Sequence, residues 1–209
     1  MKTNDLTQNK QRFIEILKNT ERENIDYVIE DLEAFGFFEA PASVKNHNNY
    51  PGGLLQHSLN VYDMAMELRE TAIKLRPDLT AQLRPDSIAI AALLHDTCKA
   101  DIYRKVQRAR KNEVGLYEKF DEYQVSYENF PVGHGEKSVI MLLRSGLDLD
   151  DDEILAIRWH MGAWGVNIHS IEEERSFREA QKRSPLVALI HSADTLAAQL
   201  LERDAAFKS

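Results

Sequence analysis

From Ile88 to Leu94 the chain reads IAIAALL, and the next two residues are His95 and Asp96. A helix that is apolar nearly all round cannot lie on a surface with one face in water, so RPDSIAIAALLHD is expected at the centre of the fold. Other elements must then enclose it. They must also border an imidazole and a carboxylate placed side by side where the apolar run stops, with the ammonium of Lys99 three residues further on.

The flanking sequence supplies helices for that role. LTQNKQRFIEILKNT puts Phe13, Ile14, Ile16 and Leu17 on one side of a first helix. RENIDYVIEDLEAFGFFEA continues with Ile25, Val28, Ile29, Leu32 and Phe35, up to a helix-ending Gly36. PASVKNHNNYPGG is turn-rich and reads as a loop. A long amphipathic helix is expected from about Leu54 to Leu75, with Pro77 just beyond it. GEKSVIMLLRSG, DDEILAIRWHMG and SPLVALIHSADTLAAQLLERD are helical as well, the last with Ser184 as cap and Pro185 at the first helical position. Arg104 to Phe130 changes character. It is charged, rich in Tyr, Val and Phe, contains a Gly turn, and reads as a β-hairpin or flap. The expected architecture is all-α, a helical bundle with a small inserted hairpin. Residues 1–46 are read as N-terminal helices packing on a domain that spans 47–209.

At 209 residues the chain suits one domain, and its 43% hydrophobic content is enough for a core. With 29% charged residues and a net charge of −8, it is a poor binder of duplex nucleic acid or anionic membrane. A phosphate can still be held locally if cations neutralise it. Cys98 stands alone, so there is no internal disulfide, which fits a reducing cytoplasm. MKTNDLTQNKQRF lacks the apolar core of a signal peptide. No run approaches the ~20 apolar residues of a membrane span. A soluble cytoplasmic protein is expected.

The chemical signal lies in polar residues on apolar stripes. Leu54, His57, Val61, Met64 and Leu68 share one face of the long helix by three- and four-residue steps. Ile88, Ala91, Ala92 and His95 share a face, as do Ala156, Ile157 and His160. On the last helix the stripe is Val187, Ile190, Asp194, Ala197 and Leu201. A lone inward histidine is more often a hydrogen-bonded core residue than a ligand. A buried carboxylate is costlier, several kcal/mol unless paired or coordinated, and Lys and Arg are scarce on the inward faces. Four inward groups on four helices favour a metal site of nitrogen and oxygen donors, suited to Mn, Fe, Co, Ni or Zn.

These residues resemble the HD-domain superfamily of metal-dependent phosphohydrolases. The resemblance rests on GGLLQHSLNV with His57, ALLHDTCKAD with His95, Asp96 and Lys99, GHGEKS with His134, IRWHMG with His160, and HSADTLAAQ with Asp194. It covers about Tyr50 to Leu201. It implies that His57, His95, Asp96 and Asp194 are metal ligands. It further implies that His134 and His160 are the extra ligands of the two-metal branch, with Asp96 bridging two divalent ions, and that Lys99 meets a substrate phosphate. GGLLQH and GHGEKS look most like bacterial nucleotide or RNA phosphodiesterases. The chain departs at HDTCK, where members often carry a small apolar residue and then glycine before the lysine; Cys98 stands at the glycine position.

The resemblance therefore implies a phosphohydrolase with Asp96 and Lys99 at its catalytic centre, acting on a small phosphorylated substrate such as a nucleotide or short oligonucleotide. Two other readings share the ligand set: a di-iron oxygenase of the HD-domain type, and a non-catalytic module that binds a nucleotide and signals to a partner. Lys137 and Ser138 after His134, and His47 in the loop before YPGG, are further candidates for substrate contact. His191, one turn before Asp194, can support the ligands from behind. Trp164, Tyr117 and Tyr123 read as aromatic core, with stacking on a base as the alternative. Oligomer formation through the N-terminal helices is left open.

Overall fold

The computed structural model describes residues 3–44, 48–167 and 169–202, with side chains from Leu6 onward. In chain order its helices are α1 (Thr3–Lys18), α2 (Ile25–Ala34), α3 (Gly53–Leu75), α4 (Pro85–Leu94), α5 (Lys99–Ile102), α6 (His134–Arg144), α7 (Asp151–Trp159), α8 (Ile171–Arg183) and α9 (Pro185–Leu196). A single hairpin, β1 (Tyr103–Lys111) and β2 (Tyr117–Val125), separates α5 from α6 among the described residues.

The apolar helix is central, as its composition requires. Every residue of α4 from Ser87 to Leu94 is buried. α3 packs against α4 and α9, while α7 lies across α4, α6 and α9. α1 covers α3 and α4 from outside. Phe13 and Leu17 of α1, together with Val28 and Leu32 of α2, belong to the same apolar cluster as Leu54, Ile90 and Ile190. Phe13, Phe37 and Phe38 meet with ring centroids 5.3 to 5.5 Å apart, a spacing that favours tilted and edge-on aromatic contact.

A buried ion pair ties the N-terminal segment to this core. Glu153 is fully buried and bonded to Arg22, which also reaches Asp86 at 3.1 Å. Glu153 closes a capping box with Asp150 at the start of α7. Ser184 behaves differently from the expected cap. Pro185 opens α9, but the Ser184 hydroxyl makes no capping bond. The polar segment IEEERSFREAQKR forms α8, which rests on α9. Its apolar signal is thin, with Ala180 its buried residue.

The hairpin stands out from the helices. Tyr103 pairs with Val125 and Lys111 with Tyr117, in antiparallel register. Most of its residues are exposed on both faces. Cross-strand ion pairs take the place of a core: Lys105 with Asp121 at 2.8 Å, Arg110 with Glu118 at 3.0 Å, and Arg108 with Glu122.

Candidate metal centre

Helix ends deliver most of the site. His57 lies on the buried face of α3, and Asp194 on α9. His95 and Asp96 follow the last residue of α4, His160 follows the last residue of α7, and His134 opens α6. Gly135 allows the last two to meet. A Cβ there would stand 2.2 Å from the carbonyl oxygen of Arg158, so any side chain would push α6 away from α7.

The same local device orients His95 and His160. The final carbonyls of a helix have no intrahelical partner. His95 Nδ1 lies 2.8 Å from the carbonyl oxygen of Ala92, and His160 Nδ1 lies 2.7 Å from that of Ile157. A carbonyl oxygen only accepts, so each Nδ1 carries a hydrogen, and in the neutral ring the lone pair is then on Nε2. His57 Nδ1 donates instead to a carboxylate, Glu202, at 2.9 Å. His134 Nδ1 lies 3.3 Å from Cys98 Sγ.

The four Nε2 atoms converge on Asp96, two on each oxygen. Oδ2 lies 3.2 Å from His95 Nε2 and 3.5 Å from His57 Nε2. Oδ1 lies 2.6 Å from His134 Nε2 and 3.5 Å from His160 Nε2. Asp194 Oδ1 joins the first pair, 3.2 Å from His57 Nε2. Lys99 Nζ lies 2.5 Å from Asp96 Oδ2. His57, His95, Asp96 and His160 are buried, whereas the His134 side chain remains 26% exposed and that of Asp194 18%.

Two features test whether a cation fits. His160 Nε2 is buried with no hydrogen-bond partner among the described residues. His57 and His95 point Nε2 at each other across 3.3 Å, while their other nitrogens donate outward. Facing lone pairs need a proton or a cation between them. Three ligand sets have atoms within 4.8 Å of one another: His57, His95 and Asp96; His95, His160 and Asp194; and Asp96, His134 and His160. These nitrogen and oxygen donors fit Mn, Fe, Co, Ni or Zn.

The electrostatics point the same way. Burial works against each charge in the site, and the partners outweigh it. His57 is held well above the ordinary histidine range by Asp194, Asp96 and Glu202. His134 is pushed up to about 9 by Cys98 and Asp96. Asp96 is held well below the carboxylate range by Lys99 and the histidines, and Asp194 below it chiefly by His57. Lys99 is raised by Asp96, so it stays charged. The cluster is a well for positive charge.

A cavity of about 390 Å³ opens beside Asp96, Lys99, His134, His160 and Asp194, within the ~300–1,000 Å³ usual for small-molecule sites. Tyr103, Val125 and Tyr127 wall it on the hairpin side, and Met161, Trp164, Thr195 and Gln199 line it as well. Trp164 is 89% exposed and Tyr117 73%, so neither is the core aromatic that the sequence favoured. His191 Nδ1 bonds the carbonyl of His160 at 2.7 Å, and its ring presses on Gly162 in the turn that carries Trp164.

Lys137 and Ser138 lie apart from this cavity. Lys137 is buried and ion-paired with Asp101. Ser138 Oγ accepts the backbone N–H of Cys98 at 3.1 Å. His47 lies outside the described residues. Cys98 itself has φ −59° and ψ −25°, ordinary right-handed backbone, so the turn before Lys99 does not require glycine. Two contacts carried no sequence signal: Cys98 against His134, and Glu202 against His57.

The HD domain family matches residues 54–199, more than half of the chain. The protein belongs to that family of metal-dependent phosphohydrolases. The chain is similar to a dihydroneopterin 2',3'-cyclic phosphate phosphodiesterase of Methanocaldococcus jannaschii, with 27% identity over 118 residues. That alignment takes in 56% of this chain and 43% of the relative, so it spans less than half of the relative's length. No solved structure matches. Among the described residues, no helix is long and apolar enough to cross a membrane.

Proposed function

We propose that the protein is a two-metal phosphodiesterase acting on a small phosphate diester that carries a planar heterocycle, such as a nucleotide. One observation carries this reading: the two oxygens of Asp96 divide four histidines into two pairs. His57, His95 and Asp96, with Asp194 beside them, would hold one ion; Asp96, His134 and His160 would hold the other. A bound ion pair supplies Lewis acidity to a phosphoryl oxygen and lowers the pKa of a water.

The protein's own groups complete the chemistry. Lys99, held charged beside Asp96 on the cavity wall, donates to a non-bridging phosphate oxygen where negative charge grows. A water oxygen bonds to phosphorus, one P–O ester bond breaks, and the departing oxygen takes up a proton to give a monoester and an alcohol. Trp164 offers an open aromatic face at the rim, of the kind on which a base stacks. The similarity to a cyclic phosphate phosphodiesterase supports a cyclic diester among the substrates.

The test is a substrate panel of nucleoside 2',3'- and 3',5'-cyclic phosphates, dinucleotides and monophosphates, each with Mn, Co or anaerobic Fe. Diesters are expected to yield monoesters, and Asp96→Ala to lose activity and metal together. No diester turnover with any ion, or full turnover in Asp96→Ala, overturns the reading.

A further inference from the structure

Past Leu196 the last helix widens into a π-helical turn, Ala197–Leu201. Regular α spacing would continue the inward stripe through Leu201. A π turn closes its hydrogen bonds one residue later, so the inward direction slips by one. Leu201 is 53% exposed, and the side chain of Glu202 is 1% exposed. A leucine turned out and a glutamate turned in is the reverse of what burial alone favours.

Glu202 reaches a metal-site histidine. Its Oε1 and Oε2 lie 2.9 and 3.1 Å from His57 Nδ1, and Oε1 also accepts from Asn60 Nδ2 at 2.9 Å. Asn60 Oδ1 accepts from Gln56 Nε2, and Gln56 Oε1 from Asn9 Nδ2, both at 2.8 Å. The chain of bonds thus runs from α1 to His57. Its two ends, Asn9 and Glu202, lie outside the 54–199 segment that defines the family. His95 and His160 lean on neutral carbonyls, but His57 leans on a carboxylate.

We propose that Glu202 is a positioning residue of the metal centre, resting on the reading of that centre given above. It takes the Nδ1 hydrogen of His57, fixes the tautomer and the ring angle, and makes Nε2 a stronger donor toward an ion. Asn60 and Gln56 hold the carboxylate in place. The half of the site built on His57 therefore binds more tightly than the half built on His134 and His160.

The test uses the full chain with Glu202→Ala, Glu202→Gln and Asn60→Ala. Each is stripped of metal and titrated with Mn(II) against a competing chelator. Glu202→Ala is expected to weaken the tighter site by about 10- to 100-fold. Glu202→Gln still accepts from Nδ1 but lacks the charge, so it falls between Ala and wild type. In stripped, ¹⁵N-histidine-labelled protein, the His57 Nδ1–H signal should persist in Glu202→Gln and shift or vanish in Glu202→Ala. Wild-type affinity in Glu202→Ala, with only an equal loss of melting temperature in stripped and loaded protein, overturns the proposal. If Glu202→Ala does not fold, wild-type affinity in both Glu202→Gln and Asn60→Ala overturns it. No Mn(II) uptake by the wild type removes the metal-centre reading itself, and this proposal with it.

Discussion

Metal uptake must expel protons, and the structure sets how many. In chelator-stripped protein the His134 ring titrates at about 9. At pH 7 it is roughly 99% protonated, because two units below the pKa is a factor of about 100. An ion binding Nε2 must displace that proton, at a cost of about 2.7 kcal/mol in apparent affinity. His57 is also raised well above its usual range and contributes a second proton. Affinity should therefore rise by about tenfold per pH unit for each proton released between pH 7 and 9, and the His134 contribution should level off above 9. Calorimetry in buffers of different ionisation enthalpy counts the protons directly: about two at pH 7, one each from His134 and His57, and one fewer in His134→Gln. Stability provides a second readout. A raised histidine pKa stabilises the stripped fold fully below about 6.5 and loses that contribution as pH rises through about 9, at most about 3 kcal/mol for His134. The loaded protein should stay nearly level over this range, because the tighter binding offsets the loss in the stripped fold. Uptake that releases no protons, with affinity flat from pH 7 to 9, would mean that His134 and His57 are not ligands.

Other perturbations separate the roles. Lys99→Ala should keep its metal, measured by elemental analysis, and lose about 10²–10³-fold in turnover, as for other groups that meet developing charge. Trp164→Ala should raise KM by about tenfold for substrates bearing a base, a stacking loss of roughly 1–3 kcal/mol. It should leave KM unchanged for a ribose cyclic phosphate that lacks one. Arg22→Ala leaves the buried carboxylate of Glu153 with only the more distant Arg84, 3.8 Å away, as its cation; chemical denaturation should show a loss of about 3 kcal/mol, at the low end for a broken buried pair because Arg84 remains and Arg22 is partly exposed.

Periodicity made much of this architecture legible. IAIAALL cannot face water on any side, and α4 lies at the centre. Three- and four-residue steps placed His57, His95 and His160 on inward faces, and the structure brings them together around Asp96. The hairpin is charged and exposed, as the change of composition at Arg104 suggests. What stayed hidden has physical causes. α8 is so polar that its helical signal carries almost no apolar stripe. Glu202 was out of phase because α spacing cannot anticipate a π turn. Lys137 and Ser138 follow His134 closely in sequence, yet the start of α6 turns them toward Asp101 and the Cys98 backbone. Short sequence distance is a poor guide to direction at a helix start.

In a two-metal centre of this design, Asp96 stands between the two ions. Anomalous diffraction from crystals of the Mn-loaded protein tests it most directly. Two peaks are expected, about 3.5–4 Å apart, on either side of the Asp96 carboxylate. One should lie against His57 and His95, the other against His134 and His160. A single peak at full occupancy, or none near Asp96, would contradict it.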